Sequence, residues 1–328
     1  MLKAYEVVSK RKLVGGPSDS YRGINPLKYP WAREIWTQML ANTWFPTEQD
    51  LTKDIGMYKD LTDGNKLAYD RGLSFLASLD NIQLNNLALN ILPLITAPEV
   101  RECLNRQVFE EQLHVKSYSE MIETIALDPE AIYFMPLEDK ILDAKNSHIT
   151  AQASFLKDDT SVRTLLLAFI SNIILEGIYF YSGFATFYTL ARSGTMIGSA
   201  NMVKFIQRDE EVHLKLFVNM VKVLEMENNL TCNDFKADIH ALMDDSVNLE
   251  IAWGKHIIEG GVLGLTGGII EDYIRYLADD RLSMIGMEKM YNVKNPLSWI
   301  TDFSKINGED ASFFEKRPID YTRGSFAW

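Results

Sequence analysis

Residues 164–191, TLLLAFISNIILEGIYFYSGFATFYTLA, constrain the fold more than any other part of the chain. Their apolar side chains cover the whole helical circumference, and Glu176 is the only formal charge before Arg192. A helix that is apolar on every side must be buried on every side, in lipid or at the centre of a bundle. No second stretch of this kind occurs, and 24% of the chain is charged. The expected setting is therefore the middle of a soluble helical bundle, not a membrane. Glu176 is discordant in either setting. A carboxylate in an apolar interior is costly unless it meets a cation or a proton.

Helical periodicity dominates elsewhere, and nothing reads as alternating strands joined by hairpin turns. The expectation is an all-α protein with helices near 30–41, 47–58, 65–92, 98–126, 129–157, 161–191, 196–226, 232–257 and 268–291. Pro93 and Pro98 punctuate one connection, and Pro98 suits the first turn of the helix that follows. The glycines at 260, 261, 264, 267 and 268 read as a bend. They follow no strand and precede no GKS/T, so they make a poor phosphate loop. No Pro/Gly/Ser-rich linker divides the chain, which predicts one domain over 1–305 and a tail at 306–328 without helical periodicity.

The formal net charge of −12 would repel a phosphate backbone, which excludes nucleic acid as an expected partner. Only Cys103 and Cys232 are present, without a CxxC, which argues against a disulfide framework and suits a reducing compartment. The first residues lack the apolar core of a signal peptide. A cytoplasmic location is expected.

Two short stretches carry the chemistry. FEEQLHVKSY, residues 109–118, places Glu111, His114 and Tyr118 at steps of three and four, on one helix face. RDEEVH, residues 208–213, repeats the Glu-x-x-His spacing with Glu210 and His213. A helical step of three residues sets two side chains about 60° apart, within reach of one ion. Each pair follows a helix with one carboxylate in an apolar context. Asp80 lies 31 residues before Glu111, and Glu176 lies 34 before Glu210. That is the donor order of a carboxylate-bridged four-helix bundle, in which two helices give Glu-x-x-His and two give one carboxylate each. Four carboxylates and two imidazoles suit two iron or manganese ions. Taken singly, Asp80 could cap a turn, Glu176 could bond a buried tyrosine, and either histidine could be satisfied by a backbone carbonyl. Tyr118 could simply be a packed phenol. The recurrence of the same order twice is what favours a dimetal site.

At these residues the chain resembles the small, radical-generating subunit of class I ribonucleotide reductase. The resemblance rests on LDNIQ around Asp80, EEQLHVKSY around Glu111, LEGIYFYSGF around Glu176 and RDEEVH around Glu210. It implies a ferritin-like helical bundle with additional helices. It also implies that Asp80, Glu111 and His114 hold one metal, that Glu176, Glu210 and His213 hold the other, and that Glu111 and Glu210 bridge. The pair could be Fe/Fe, Mn/Mn or Mn/Fe. In the family such a centre uses oxygen to make a tyrosyl radical, for which Tyr118 is the matching position, with Phe180 packed nearby. Trp44 would connect through Asp209 to His114. The tail would dock on the large subunit, with Tyr321 on the radical path, Glu315 at the position of a family glutamate, and Phe326 and Trp328 as apolar anchors. A homodimer and an activating redox protein are further partners the resemblance implies. Ferritin-type iron storage, a purely structural bundle, and a related dimetal oxidase or hydroxylase acting on an organic substrate are the alternatives. Ferritin storage leaves Tyr118 and the tail without a task, and a structural bundle leaves Glu176 unexplained.

Overall fold

A computed structural model describes residues 2–17 and 24–305. The tail, including Glu315, Tyr321, Phe326 and Trp328, lies outside the described residues. Thirteen α-helices occur among the described residues: α1 (Leu2–Lys10), α2 (Pro30–Ala41), α3 (Thr52–Asp60), α4 (Asp63–Asn86), α5 (Pro98–Ile125), α6 (Pro129–Glu138), α7 (Lys140–Ala153), α8 (Val162–Ile174), α9 (Tyr181–Arg192), α10 (Ile197–Asn228), α11 (Lys236–Ile257), α12 (Gly267–Met284) and α13 (Ile300–Phe303). Two isolated bridges, Val14 to Ile95 and Val262 to Leu265, are the extent of β pairing there.

At the centre, α4 packs on α5, α10 packs on α8 and α9, and the two pairs meet through α4 with α9 and α5 with α10. Helix α2 covers α5 and α10, α6 and α7 cover α4, and α11 lies across α7, α8 and α9. The apolar span Val162–Arg192 is enclosed by this shell, and 94% of its most apolar window is buried. It is a core helix, as its uniform hydrophobicity requires.

Two helices depart from regular geometry where polar residues enter the core. α4 continues into a π turn at Leu87–Ile91, and α8 passes through a second at Leu175–Tyr179 before α9. A π turn adds one residue to the circumference and rotates the side chains that follow. Gly177 sits in the second. A Cβ there would fall 2.7 Å from Arg281 Nε, the same nitrogen that donates to the Gly177 carbonyl at 3.1 Å. Glycine is thus needed for Arg281 to reach a carbonyl that the π turn has displaced.

The helix expected over 129–157 is in fact two. Asp139 ends α6 and caps α7, its carboxylate accepting from Ile141 N and Leu142 N at 2.9 and 3.2 Å. The expected helix at 268–291 stops at Met284, and the buried carboxylate of Asp279 gathers the backbone amides of Met290, Tyr291 and Asn292 into a turn. Helix α3 begins at Thr52, after a short 3₁₀ turn, not at residue 47. Helix α1 was not expected at all.

Met196 stands just before α10, where its side chain cannot cap the helix and its φ is 54°. Asp54 of α3 supplies the missing acceptor, taking hydrogen bonds from Gly198 N at 3.1 Å and from Ser199 N at 2.6 Å. A carboxylate at a helix N-terminus satisfies orphan donors and complements the dipole.

Candidate metal centre

Asp80 projects from α4, Glu111 and His114 from α5, Glu176 from the second π turn, and Glu210 and His213 from α10. All six are completely buried. Their potential ligand atoms fall into two groups, Asp80–Glu111–His114–Glu210 and Glu111–Glu176–Glu210–His213, each with all its atoms within 4.8 Å of one another. Glu111 and Glu210 belong to both groups. A carboxylate has two oxygens, so one shared by two donor groups can serve an ion in each.

Both imidazoles turn the same nitrogen inward. His114 Nδ1 is 3.0 Å from Glu210 Oε1, 3.6 Å from Glu111 Oε2 and 3.8 Å from Asp80 Oδ2. His213 Nδ1 is 2.8 Å from Glu210 Oε2, 3.3 Å from Glu111 Oε1 and 3.8 Å from Glu176 Oε2. The outward nitrogens meet carboxylates: His114 Nε2 lies 3.4 Å from Asp209 Oδ2, and His213 Nε2 lies 2.9 Å from Glu110 Oε2. An acceptor at Nε2 keeps the proton there and leaves the Nδ1 lone pair for a metal.

Whether these residues suit metal can be asked of their hydrogen bonds. Asp80 Oδ1 and Oδ2, Glu111 Oε2 and Glu176 Oε2 are buried without a hydrogen-bond partner, and so are Glu210 Oε1 and His114 Nδ1, which lie 3.0 Å apart but are not aligned for a hydrogen bond. Orphaned polar atoms in an interior are costly and rare, and six in one place mark a site built for something other than hydrogen bonds. Cations fit, and four hard carboxylates with two imidazoles suit iron or manganese.

The ionisation of the cluster points the same way. Burial, reinforced by Glu111 and Glu210, pushes the Asp80 carboxyl well above the usual range, and burial with Glu111 does the same to Glu176. Burial also acts on Glu210, but the two imidazoles outweigh it and hold that carboxyl low. Burial alone would make both histidines poor bases, yet the facing carboxylates, led by Glu210 for His114 and Glu111 for His213, raise them instead. Carboxylates crowded in a buried space favour positive charge or protons among them.

Around this cluster, the structure brings some of the other sequence-predicted residues into contact. Trp44, 1% exposed, donates from Nε1 to Asp209 Oδ2 at 2.7 Å, the same oxygen that faces His114. Tyr118 is fully buried and its hydroxyl has no hydrogen-bond partner. Burial, with Asp80 the next contributor, pushes the phenol well above its usual range. Phe180 is buried at the junction of the π turn and α9, stacked on Phe184 with ring centroids 5.6 Å apart.

Three residues near the cluster escaped the sequence reading. Gln83 donates from Nε2 to Glu176 Oε1, and Gln107 donates from Nε2 to Glu111 Oε1 at 3.1 Å and to Glu176 Oε1 at 2.7 Å. Glu110 holds His213. For Glu110 a signal existed: an acid stands immediately before the shared glutamate in both motifs, Glu110-Glu111 and Asp209-Glu210. For the glutamines there was none, since a neutral amide in a helix gives no hint of burial.

The family model described as ribonucleotide reductase, small chain, matches residues 22–296. The ribonucleoside-diphosphate reductase subunit beta of Treponema pallidum is 37% identical over 324 residues, covering 96% of this chain and 92% of that one. Among solved structures, the ribonucleotide reductase R2 subunit from Clostridium botulinum superposes with a TM-score of 0.86 at 39% identity, over 90% of this chain and 95% of that one. The dimanganese(II) NrdF of Streptococcus sanguinis shares the fold, with a TM-score of 0.74 at 19% identity over 86% of this chain and 98% of that one.

Proposed function

The chain belongs to the ribonucleotide reductase small-chain family, and from that premise we propose how its own residues divide the work of a class I ribonucleoside-diphosphate reductase. It is the small subunit of that oxidoreductase, working with a large subunit and pairing with a second copy of itself, as the family does. Two metal ions would be held between α4, α5, α10 and the π turn, one by Asp80, Glu111 and His114 and the other by Glu176, Glu210 and His213, with Glu111 and Glu210 available to both. Bound there, a reduced metal pair would supply one-electron oxidising power, with oxygen as the terminal oxidant. Iron and manganese both suit the donor set.

The remaining work falls to the protein. Tyr118 stores the oxidising equivalent. Its enclosure among apolar side chains and the absence of a hydrogen-bond partner for its hydroxyl support that role, because a neutral phenoxyl radical persists only where water and reductants are excluded. Asp209 orients His114 and accepts from Trp44, giving electrons and protons a connected route past the imidazole. The tail carries the route onward through Tyr321, and Phe326 and Trp328 anchor it to the large subunit. That subunit supplies the cysteines for substrate reduction, since the buried Cys103 and Cys232 form no redox pair. We assign the protein to the cytoplasm and allow a separate redox protein as activator. A dimetal oxidase would need room for its substrate beside the ligands. The cleft of about 660 Å³ lined by Tyr181, Gln207, Glu211 and Arg281 includes none of the six.

The observation that carries this reading is the pair of interlocking donor groups sharing Glu111 and Glu210. Electron paramagnetic resonance on metal-free protein, loaded with Fe(II) and exposed to oxygen, tests it. Wild type should bind two metals per chain and give a tyrosyl signal, and Tyr118→Phe should keep the metals and lose the signal. A signal undiminished in the variant would remove Tyr118 from the role.

A further inference from the structure

We infer that Glu110 is the positioning residue of His213, doing at one metal what Asp209 does at the other, and that Arg106 ties this arm to the segment leading into Trp44. The inference rests on the assignment of the six ligands.

The geometry is crossed. Glu110 stands on α5 directly before Glu111, yet its Oε2 meets His213 of α10 at 2.9 Å. Asp209 stands on α10 directly before Glu210, yet its Oδ2 meets His114 of α5 at 3.4 Å. Consecutive helical residues are rotated by about 100°, so an acid next to an inward-facing glutamate looks sideways toward the neighbouring helix. Each helix therefore brings its own histidine and the carboxylate that fixes the other helix's histidine.

The ion pair shows that Glu110 is held in place. It is 1% exposed, and its second oxygen accepts from Arg106 Nε at 2.9 Å. An Arg–Glu pair four residues apart is an ordinary helix contact. Such a pair needs neither burial nor a second acceptor oxygen aimed at an imidazole on a different helix. Glu110 has both. With its proton fixed on Nε2, His213 presents Nδ1 to the region enclosed by Glu111, Glu176 and Glu210.

The two arms end together. Arg106 Nη2 donates to Thr43 Oγ1 at 3.0 Å, Arg208 donates to the Asn42 carbonyl, and Trp44 donates to Asp209. One three-residue segment, 42–44, is thus fastened to the carboxylate behind each imidazole. Glu110 and Arg106 give the His213 side a mechanical connection to the backbone that carries Trp44.

Titration of the metal-free full-length protein with Mn(II), counting free Mn(II) by its electron paramagnetic resonance signal, tests the role of Glu110. Wild type should take up two equivalents per chain. Glu110→Ala should weaken one of them 10- to 100-fold, the range typical for loss of a carboxylate behind a ligand histidine, and leave the other unmoved. Glu110→Gln, which keeps an acceptor oxygen, should lose less and guards against an alanine variant that folds poorly. Because Glu110 acts through His213, Glu110→Ala combined with His213→Ala should bind as His213→Ala alone. Two wild-type equivalents in Glu110→Ala, or a loss that adds to that of His213→Ala, would overturn the inference while the ligand assignment stood. Fewer than two equivalents in wild type would overturn the ligand assignment itself, and this inference with it.

Discussion

Gln107 donates from one amide nitrogen to carboxylates of two helices' worth of ligands, Glu111 Oε1 and Glu176 Oε1, and is itself fully buried. Without metal, that N–H group is among the few donors reaching the cluster, because six other polar atoms there have no partner. Replacing it with leucine removes donors from buried carboxylates, a change worth about 1–3 kcal/mol. Gln107→Leu should therefore destabilise the metal-free protein by about that amount and the metal-loaded protein by less, since bound cations supply the positive potential the amide provided. Chemical denaturation of both forms checks this, and equal losses with and without metal would show that Gln107 serves packing alone. The same residue shows a limit of sequence reading. Asp80, Glu111, His114, Glu176, Glu210 and His213 could be picked out because charged residues at repeated spacing contradict their apolar surroundings. Gln107 and Gln83 contradict nothing until the helices are assembled around them.

Among the elements, the helices whose borders were legible carry chemical punctuation: Pro30 and Pro98 open α2 and α5. The division of 129–157 was not legible, because apolar periodicity runs through Asp139 and the break depends on that side chain turning back to cap α7. The π turns were also hidden, since a one-residue widening leaves the composition of a uniformly apolar helix unchanged. What secures the second π turn is a buried charge. Lys145 of α7 pairs with Glu250 of α11, donates to the Tyr179 carbonyl at 3.4 Å and sits 3.4 Å from the Phe75 ring centroid, while Ser182 of α9 also donates to Glu250. Burial pulls Lys145 down to about 8 and pushes Glu250 up, so each ion persists only because of the other. Removing one partner strands a buried charge, which typically costs about 3–5 kcal/mol, whereas removing both with apolar residues can be nearly neutral. Lys145→Met should be strongly destabilised and Lys145→Met with Glu250→Leu should recover most of the loss, as read by denaturation midpoints. A double variant worse than the single would mean that the pair organises the π turn beyond neutralising itself.

For the whole molecule, the four-helix centre is folded around a charge imbalance that only cations or protons can relieve. In the metal-free protein the carboxyls of Asp80 and Glu176, with ordinary values of 3.8 and 4.5, and the imidazoles of His114 and His213, ordinarily 6.5, are all shifted upward. A group raised in the folded state binds more protons folded than unfolded. Its stabilising contribution is complete below the unfolded value and is lost as pH rises through the folded one. Glu210 runs the opposite way, but its depressed value places its loss in strong acid, far below this window. Metal-free protein should therefore lose stability as pH rises from about 6 toward 8, above the unfolded values of the two carboxyls throughout and of the two imidazoles from 6.5 upward. Metal needs the same atoms deprotonated, so binding releases protons and tightens with pH. Saturation at a thousand times the dissociation constant adds about 4 kcal/mol for each ion that binds only the folded state. The two trends separate with pH: the gap in melting temperature between Mn(II)-loaded and metal-free protein should widen steadily from pH 6 to pH 8. Differential scanning fluorimetry of both forms across that range measures it directly. A gap that stayed constant would mean that the six side chains are not competing for protons and metal at one place, and that the charge of the core is balanced elsewhere.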